Sequence, residues 1–139
     1  MSKKEFSDYN WKDRIPVHIK LEKLNEQQKF RLMESETFCM IPWIHLHAWP
    51  DGRAYPCCLA NGEYPVGNLK EKTMQEVWND TDMREMRVNM LDEKTCKQCN
   101  DCYEQEASGF ASMRNNSNKN FGHLIDLVDQ TLPDGSLPD

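Results

Sequence analysis

Apolar residues are sparse in the first quarter of the chain, where they recur at helical spacing. Four of them fit one loose stripe: Val17, Leu21, Leu24 and Leu32. Pro16 suits the first turn of a helix, because its missing N–H is not needed there. The pattern predicts a peripheral helix, and we assign residues 1–36 to a polar, partly helical N-terminal extension.

The pattern changes to alternation after Trp43. Apolar and polar residues then alternate through Ala48, which is typical of a strand with one buried face. The run Pro50-Asp51-Gly52-Arg53 has turn chemistry, and residues 54–57 form a plausible return strand. This predicts a β-hairpin that carries Cys39 and Cys57 at its open end. Cys58 would point away from Cys57 on such a strand, which predicts a buried thiol outside any shared site.

Two helix starts follow the hairpin. Thr73 and Glu76 have the spacing of a capping box, and Asp80 offers a second N-cap. One face of the second helix is made of methionines: Met83, Met86 and Met90. At helical spacing such a stripe indicates core packing rather than a set of ligands.

The last apolar pattern follows a loop around Gly109. It predicts a helix with one apolar face: Phe121, Leu124, Ile125 and Val128. Pro133-Asp134-Gly135 would end this helix, and we assign residues 131–139 to a C-terminal linker. The elements together predict an α+β fold over residues 37–130, with a hairpin, several short helices and a Cys-rich loop.

Charge and composition narrow the function. The chain of 139 residues has 17 Lys and Arg against 23 Asp and Glu, so its net charge of -6 argues against binding to nucleic acid. No apolar run approaches the ~18 residues of a membrane span, and the N-terminus lacks a signal-peptide core. We therefore expect a cytoplasmic protein that binds no membrane. In that reducing compartment, six cysteines indicate metal binding or catalysis more than disulfides.

The cysteines concentrate this metal-binding signal in one motif. Cys96 and Cys99 form a C-x2-C pair that can chelate one metal or cluster, and Cys102 extends it. A bacterial ferredoxin loop would need a further Cys where Glu106 stands, so the remaining thiolates must come from the region of Cys39 to Cys58. Spacing alone leaves both an iron–sulfur cluster and a structural zinc ion open. A thiol redox site at the C-x2-C would need a βαβ context, which the pattern does not offer.

The spacing of these cysteines resembles that of a known family. Cys39 is followed by twelve residues, Gly52, four residues and Cys57, and then by Cys96-x2-Cys99. Further matching runs are Phe38–Leu46, Gly67-Asn68-Leu69, Val77-Trp78-Asn79 and Cys102–Glu106. Residues 39–121 thereby resemble the SPASM/twitch domain, the auxiliary iron–sulfur module of radical S-adenosylmethionine (SAM) proteins.

The resemblance implies a cofactor and its ligands. It implies one [4Fe–4S] cluster held by Cys39, Cys57, Cys96 and Cys99, with Cys102 as a possible substitute ligand. A full SPASM domain carries a second cluster and needs more cysteines after the C-x2-C, so the single-cluster twitch form fits better.

The resemblance also implies a partner. The C-x3-C-x2-C motif of a radical SAM core does not occur in this sequence. We therefore expect an accessory module, not catalytic alone, that supports substrate binding or electron transfer by a core in a longer chain or in trans. S-adenosylmethionine would act only through that core. The expected setting is the cytoplasm of a bacterium or of a phage-infected host. The alternative is a structural zinc module that acts as an interaction domain.

Overall fold

A computed structural model describes residues 13–138. Residues 1–12 of the predicted extension and Asp139 lie outside this range. The described part of the extension forms three short pieces: a 3-10 turn at Leu21–Lys23, helix α1 at Glu26–Lys29 and a π-helical turn at Phe30–Glu34. A single helix does not form, because Asn25 makes a capping box with Gln28 and starts a new helix there. Leu24 and Leu32 are nevertheless buried in the core.

A small antiparallel sheet follows, and the predicted hairpin is its centre. Its strands are β1 (His47–Ala48), β2 (Arg53–Tyr55) and β3 (Gly67–Asn68), in the order β1-β2-β3. His47 pairs with Tyr55 across the hairpin, and Gly52 takes a positive φ of 96° in its turn. The first strand is shorter than the alternation predicts. A 3-10 turn over Ile41–Trp43 precedes it, and the N–H groups of Ile44 and His45 donate to the Ile41 carbonyl, so the first residues of the alternating segment do not pair in the sheet.

The two predicted helix starts are confirmed. Helix α2 spans Met74–Trp78 behind the Thr73 capping box, and α3 spans Thr81–Leu91 with Asp80 as its N-cap. The methionine stripe of α3 is fully buried, as its spacing predicts. The fold is therefore α+β, as expected. No helix of residues 13–138 has the length and apolar character needed to cross a membrane.

The Cys-rich loop leads into the C-terminal helices. A 3-10 turn at Lys97–Cys99 continues into α4 (Asn100–Ala107), and α5 spans Met113–Phe121. A 3-10 helix then covers Gly122–Gln130. The predicted apolar face is only half right, because the change from α to 3-10 geometry shifts the residue period at Gly122. Ile125 and Val128 are buried, whereas Phe121 and Leu124 are exposed.

The residues assigned to a linker pack against the domain. The Asn79 side chain donates to the Leu137 carbonyl and accepts from the Leu137 N–H, both at 2.9 Å. The buried side chain of Arg87 donates to the Gly135 carbonyl at 3.1 Å. Gly135 lies so close to the Arg84 backbone that a Cβ there would stand 2.2 Å from its carbonyl oxygen. This part of the chain thus belongs to the folded unit.

Candidate metal centre

One cavity collects most of the cysteines. It lies between the segment before the 3-10 turn at Ile41–Trp43, the turn after β2 and the start of α4. Four thiols line it: Cys39, Cys57, Cys99 and Cys102. Its remaining walls are largely apolar: Ile41, Pro42, Met86, Met90 and Met113. We call this space the thiol cavity. Its volume of about 20 Å³ suffices for about one water molecule.

Cys39 is held in the thiol cavity by α5. The Asn118 side chain donates to the Phe38 carbonyl at 2.8 Å and accepts from the Met40 N–H at 2.9 Å. One amide therefore pairs with the peptide groups on both sides of Cys39. The Ile41 N–H donates to the Cys39 sulfur at 3.5 Å, which fixes the direction of the thiol.

Arg114 joins the cavity wall to the same segment. Its guanidinium donates to the carbonyls of Ser35 and Phe38 at 2.9 and 3.0 Å. It also forms a two-point ion pair with Glu106 of α4, one bond of which measures 2.9 Å. Only 2% of the Arg114 side chain is exposed. Arg114 thus ties α4, α5 and the Cys39 segment into one unit beside the sulfurs.

Cys57 and Cys58 occupy the turn that follows β2. The structure places Cys57 half-buried on the thiol cavity and Cys58 at the surface. The prediction of a buried Cys58 is wrong. The strand ends at Tyr55, so the alternation of strand faces does not reach these two residues.

The C-x2-C motif contributes its two thiols in different ways. Cys99 lines the thiol cavity, whereas Cys96 lies behind it, with its sulfur 3.7 Å from the Met86 carbonyl. The Cys96 N–H donates to the Tyr103 hydroxyl at 3.0 Å. The third cysteine of the run, Cys102, is buried in the first turn of α4 and faces the cavity.

Burial sets the protonation of these thiols. It raises the pKa of Cys39 well above its usual range and that of Cys57 to about 12. A hydrogen bond with Cys96 and then burial raise the pKa of Cys99. Thiolates are therefore costly here without a neutralising cation. A thiophilic metal supplies that charge, and four sulfur donors in an apolar wall suit iron–sulfur chemistry.

Other candidate residues lie away from this cavity. Among residues 13–138, no three His, Cys, Asp or Glu side chains stand close enough together to hold a single metal ion, and this includes the four thiols of the cavity. His45 and His47 have ring centroids 6.1 Å apart and do not line the thiol cavity. Arg53 pairs with Asp51, and Lys97 lies over the Tyr64 ring. Arg114, in contrast, lines the cavity.

The sequence does not predict two features of this site. They are the apolar wall of the thiol cavity and the two hydrogen bonds by which Asn118 holds the backbone on both sides of Cys39. Met86 and Met90 were recognisable as core residues, but nothing in their spacing indicates that the core faces the sulfurs. Asn118 lies 79 residues from Cys39 in the chain, so no local pattern connects the two residues. Both depend on how α3 and α5 pack.

A comparison with protein families identifies the segment that builds this cavity. The model of the SPASM family, described as an iron-sulfur cluster-binding domain, matches residues 39–103. No curated protein and no solved structure matches the chain. The matched segment contains all six cysteines of the sequence and all four thiols of the cavity. Residues 39–103 are therefore similar to the iron–sulfur cluster-binding domains of the SPASM family.

Proposed function

We propose that the domain holds one auxiliary [4Fe–4S] cluster at the thiol cavity. The observation that carries the proposal is the match to the SPASM family over the segment that supplies every cavity thiol. The apolar wall adds support, because low polarity and excluded water are conditions under which cluster sulfurs are protected from hydrolysis and exchange. The thiols must separate to admit a cluster, since the cavity measures only about 20 Å³.

Three of the four ligands predicted from the sequence line the thiol cavity, and we assign them to the cluster. Cys39, Cys57 and Cys99 are predicted ligands and share the cavity. The fourth thiolate comes from Cys96, as the resemblance implies, or from the substitute Cys102. In both cases the ligands belong to segments far apart in the sequence, so cluster binding couples to folding.

The proposed role is that of an accessory to a radical SAM core, in a longer chain or in trans. A bound [4Fe–4S] cluster supplies a one-electron carrier to such a core. The chain contributes a buried site beside Arg114, whose positive charge partly offsets the negative charge of a thiolate-bound cluster. Support for the role comes from the twitch-like cysteine spacing and from the lack of a C-x3-C-x2-C motif in the sequence.

The first test is a metal inventory. The full chain is purified anaerobically, and its iron, acid-labile sulfide and zinc are quantified. We expect close to four iron and four sulfide per chain. One zinc per chain without labile sulfide would instead establish the structural zinc module and end the cluster proposal.

The second test concerns catalysis. The cluster-loaded chain is incubated with S-adenosylmethionine and dithionite, and 5′-deoxyadenosine is measured. We expect no product, because four thiolates leave no iron open for the cofactor. Multiple turnovers would show that the chain is itself a radical SAM catalyst rather than an accessory.

A further inference from the structure

The geometry of the Cys-rich run separates Cys96 from the two cysteines that follow it. Cys96 has extended backbone angles, φ −111° and ψ 130°, and lies just before the 3-10 turn. Cys99 ends that turn, and Cys102 lies in the first turn of α4. Residues three apart on a helical path share a face, so Cys99 and Cys102 point to the same side. Cys96 has an extended backbone and therefore does not share this helical face.

The contacts of Cys96 and Cys102 also differ. The Cys102 sulfur lines the thiol cavity with those of Cys39, Cys57 and Cys99. Cys96 does not line the cavity: its sulfur lies 3.7 Å from the Met86 carbonyl and contacts the Cys99 thiol from outside the cavity wall. Four thiols thus surround one space, and Cys96 is the fifth member of the group.

Burial raises the pKa of the Cys102 thiol, as it does for Cys39 and Cys57, so this thiol also needs a neighbouring cation in order to ionise. The first backbone N–H groups of α5, those of Met113 and Arg114, offset part of this rise in the pKa of Cys102. N–H groups in the first turn of a helix have no partner within the helix, so they are available to this sulfur. The Arg114 side chain lies on the wall of the same cavity.

We propose that Cys102, rather than Cys96, supplies the fourth thiolate to the cluster. This inference rests on the proposed function, since it needs a cluster at the thiol cavity. The two ligands from the Cys-rich run are then Cys99 and Cys102, in place of Cys96 and Cys99. Cys96 then acts as a supporting residue that holds the loop against α3 through the Met86 carbonyl.

The test compares matched alanine variants of the full chain. Cys96→Ala, Cys102→Ala and the surface control Cys58→Ala are loaded anaerobically with iron and sulfide beside the wild type. We expect Cys58→Ala and Cys96→Ala to keep the wild-type iron and sulfide content and Cys102→Ala to lose at least half of it. Loss in Cys96→Ala, or a full complement in Cys102→Ala, overturns the proposal.

A serine pair keeps the test decisive where an alanine variant does not fold. The resonance Raman iron–sulfur stretching bands are recorded for Cys96→Ser and Cys102→Ser. We expect shifted bands or a lost cluster in Cys102→Ser alone, because serine replaces a sulfur ligand by oxygen. Unchanged bands in Cys102→Ser overturn the proposal. A wild type without iron and sulfide is a different result, since it refutes the proposed function itself.

Discussion

The Asn118 side chain determines how firmly Cys39 is held. Its amide pairs with the Phe38 carbonyl and the Met40 N–H, and only 1% of the residue is exposed. Arg114 supplies a second donor to the Phe38 carbonyl, but the Met40 N–H has Asn118 as its partner. Loss of the amide would leave that N–H buried, which costs about 1–3 kcal/mol.

We therefore expect Asn118→Leu to lower the free energy of unfolding by about that amount and to speed cluster loss. The measurement is a urea titration, together with the rate at which a chelator removes iron from the loaded protein. The control is Asn116→Leu, an exposed position on the same helix. Equal chelation rates in the two variants would contradict a positioning role for Asn118.

At the residue scale, the sequence identifies which residue types can bind a metal, but not which of those side chains contact one another. The cysteine spacing places Cys39 and Cys57 together, because a hairpin returns the chain to its starting point. It does not distinguish Cys96 from Cys102, since both stand three residues from Cys99. The distinction comes from backbone angles: Cys96 is extended, whereas Cys99, with φ −105° and ψ 11°, lies at the N-cap of α4.

Strand β3 approaches helix α2 closely at Gly67. A Cβ at this glycine would stand 2.7 Å from a Val77 methyl group, and Val77 is fully buried. At Gly62 the nearest atom is 3.7 Å away, in the Trp49 ring. Neither glycine has a positive φ, so the two positions differ mainly in space.

We expect Gly67→Ala to destabilise the domain by about 1–3 kcal/mol, because the methyl group must displace a core side chain. Gly62→Ala should leave stability unchanged or raise it slightly, since alanine restricts the unfolded chain. Thermal unfolding of both variants measures the difference. A loss of stability in Gly62→Ala that equals the loss in Gly67→Ala would disprove the close packing.

The N-cap of α3 gives a pH-dependent prediction. Asp80 pairs with Lys72 and accepts from the Thr81 N–H, and these contacts, in that order, lower the pKa of its carboxyl. We expect Asp80→Ala to cost about 1 kcal/mol at pH 7. The lowered pKa means that the charge stabilises the fold above pH ~4 and that this contribution is lost as the pH falls further.

The measurement is a set of urea titrations of wild type and variant from pH 7 downward. The difference between the two should shrink below about pH 4. Asp80→Asn is the matched variant, because it keeps an acceptor at the N-cap and removes the charge. A difference that stays constant with pH would show that the charge of Asp80 contributes nothing.

At the scale of elements, the sequence predicts where helices start but not which of their faces the tertiary packing buries. The capping residues Thr73 and Asp80 mark helix starts because their side chains serve the first N–H groups of the same helix. The face of the last helix was misassigned, because tertiary contacts favour 3-10 geometry after Gly122. A Cβ at that glycine would stand 3.0–3.1 Å from Pro16 and Leu32, so the chain passes close to the core.

For the whole molecule, the cluster would act as a cross-link. Seventeen residues lie between Cys39 and Cys57, and a longer stretch joins Cys57 to the Cys-rich run. Closing loops of this length reduces the entropy of the unfolded chain, on the order of 2–4 kcal/mol for a single covalent link. Leu, Ile, Val and Phe account for only 26 of the 139 residues, so the apolar core alone is modest.

We expect removal of the cluster to lower the melting temperature by at least several degrees and to broaden the transition. Circular dichroism melts of loaded and chelated protein, with iron measured in each sample, give the comparison. Cys58→Ala serves as the control, because its thiol is at the surface. Identical sharp melts with and without iron would show that the fold does not depend on the cluster.

The fold class and the cysteine framework could be predicted from the sequence, because turns, caps and thiol spacing act over short distances. The attachment of residues 131–138 could not, because it depends on the side chains of Asn79 and Arg87 in another part of the chain. The end of the helix at Pro133-Asp134-Gly135 made these residues look like a linker, whereas their hydrogen bonds attach them to the surface of the domain.

The methionine thioethers around the thiol cavity are positioned so that their oxidation would indicate loss of a cluster. If a cluster at this site broke down, the ferrous iron released beside Met86 and Met90 would reduce hydrogen peroxide to reactive oxygen species within reach of thioethers that bulk solvent hardly touches. Oxidation at these two residues would add a polar oxygen to a wall built for close packing and hinder reassembly. Met74, which is 55% exposed, reports general exposure to oxidants instead. The ratio of sulfoxide at the buried and exposed methionines thus distinguishes a chain that once lost its cluster from one that never did.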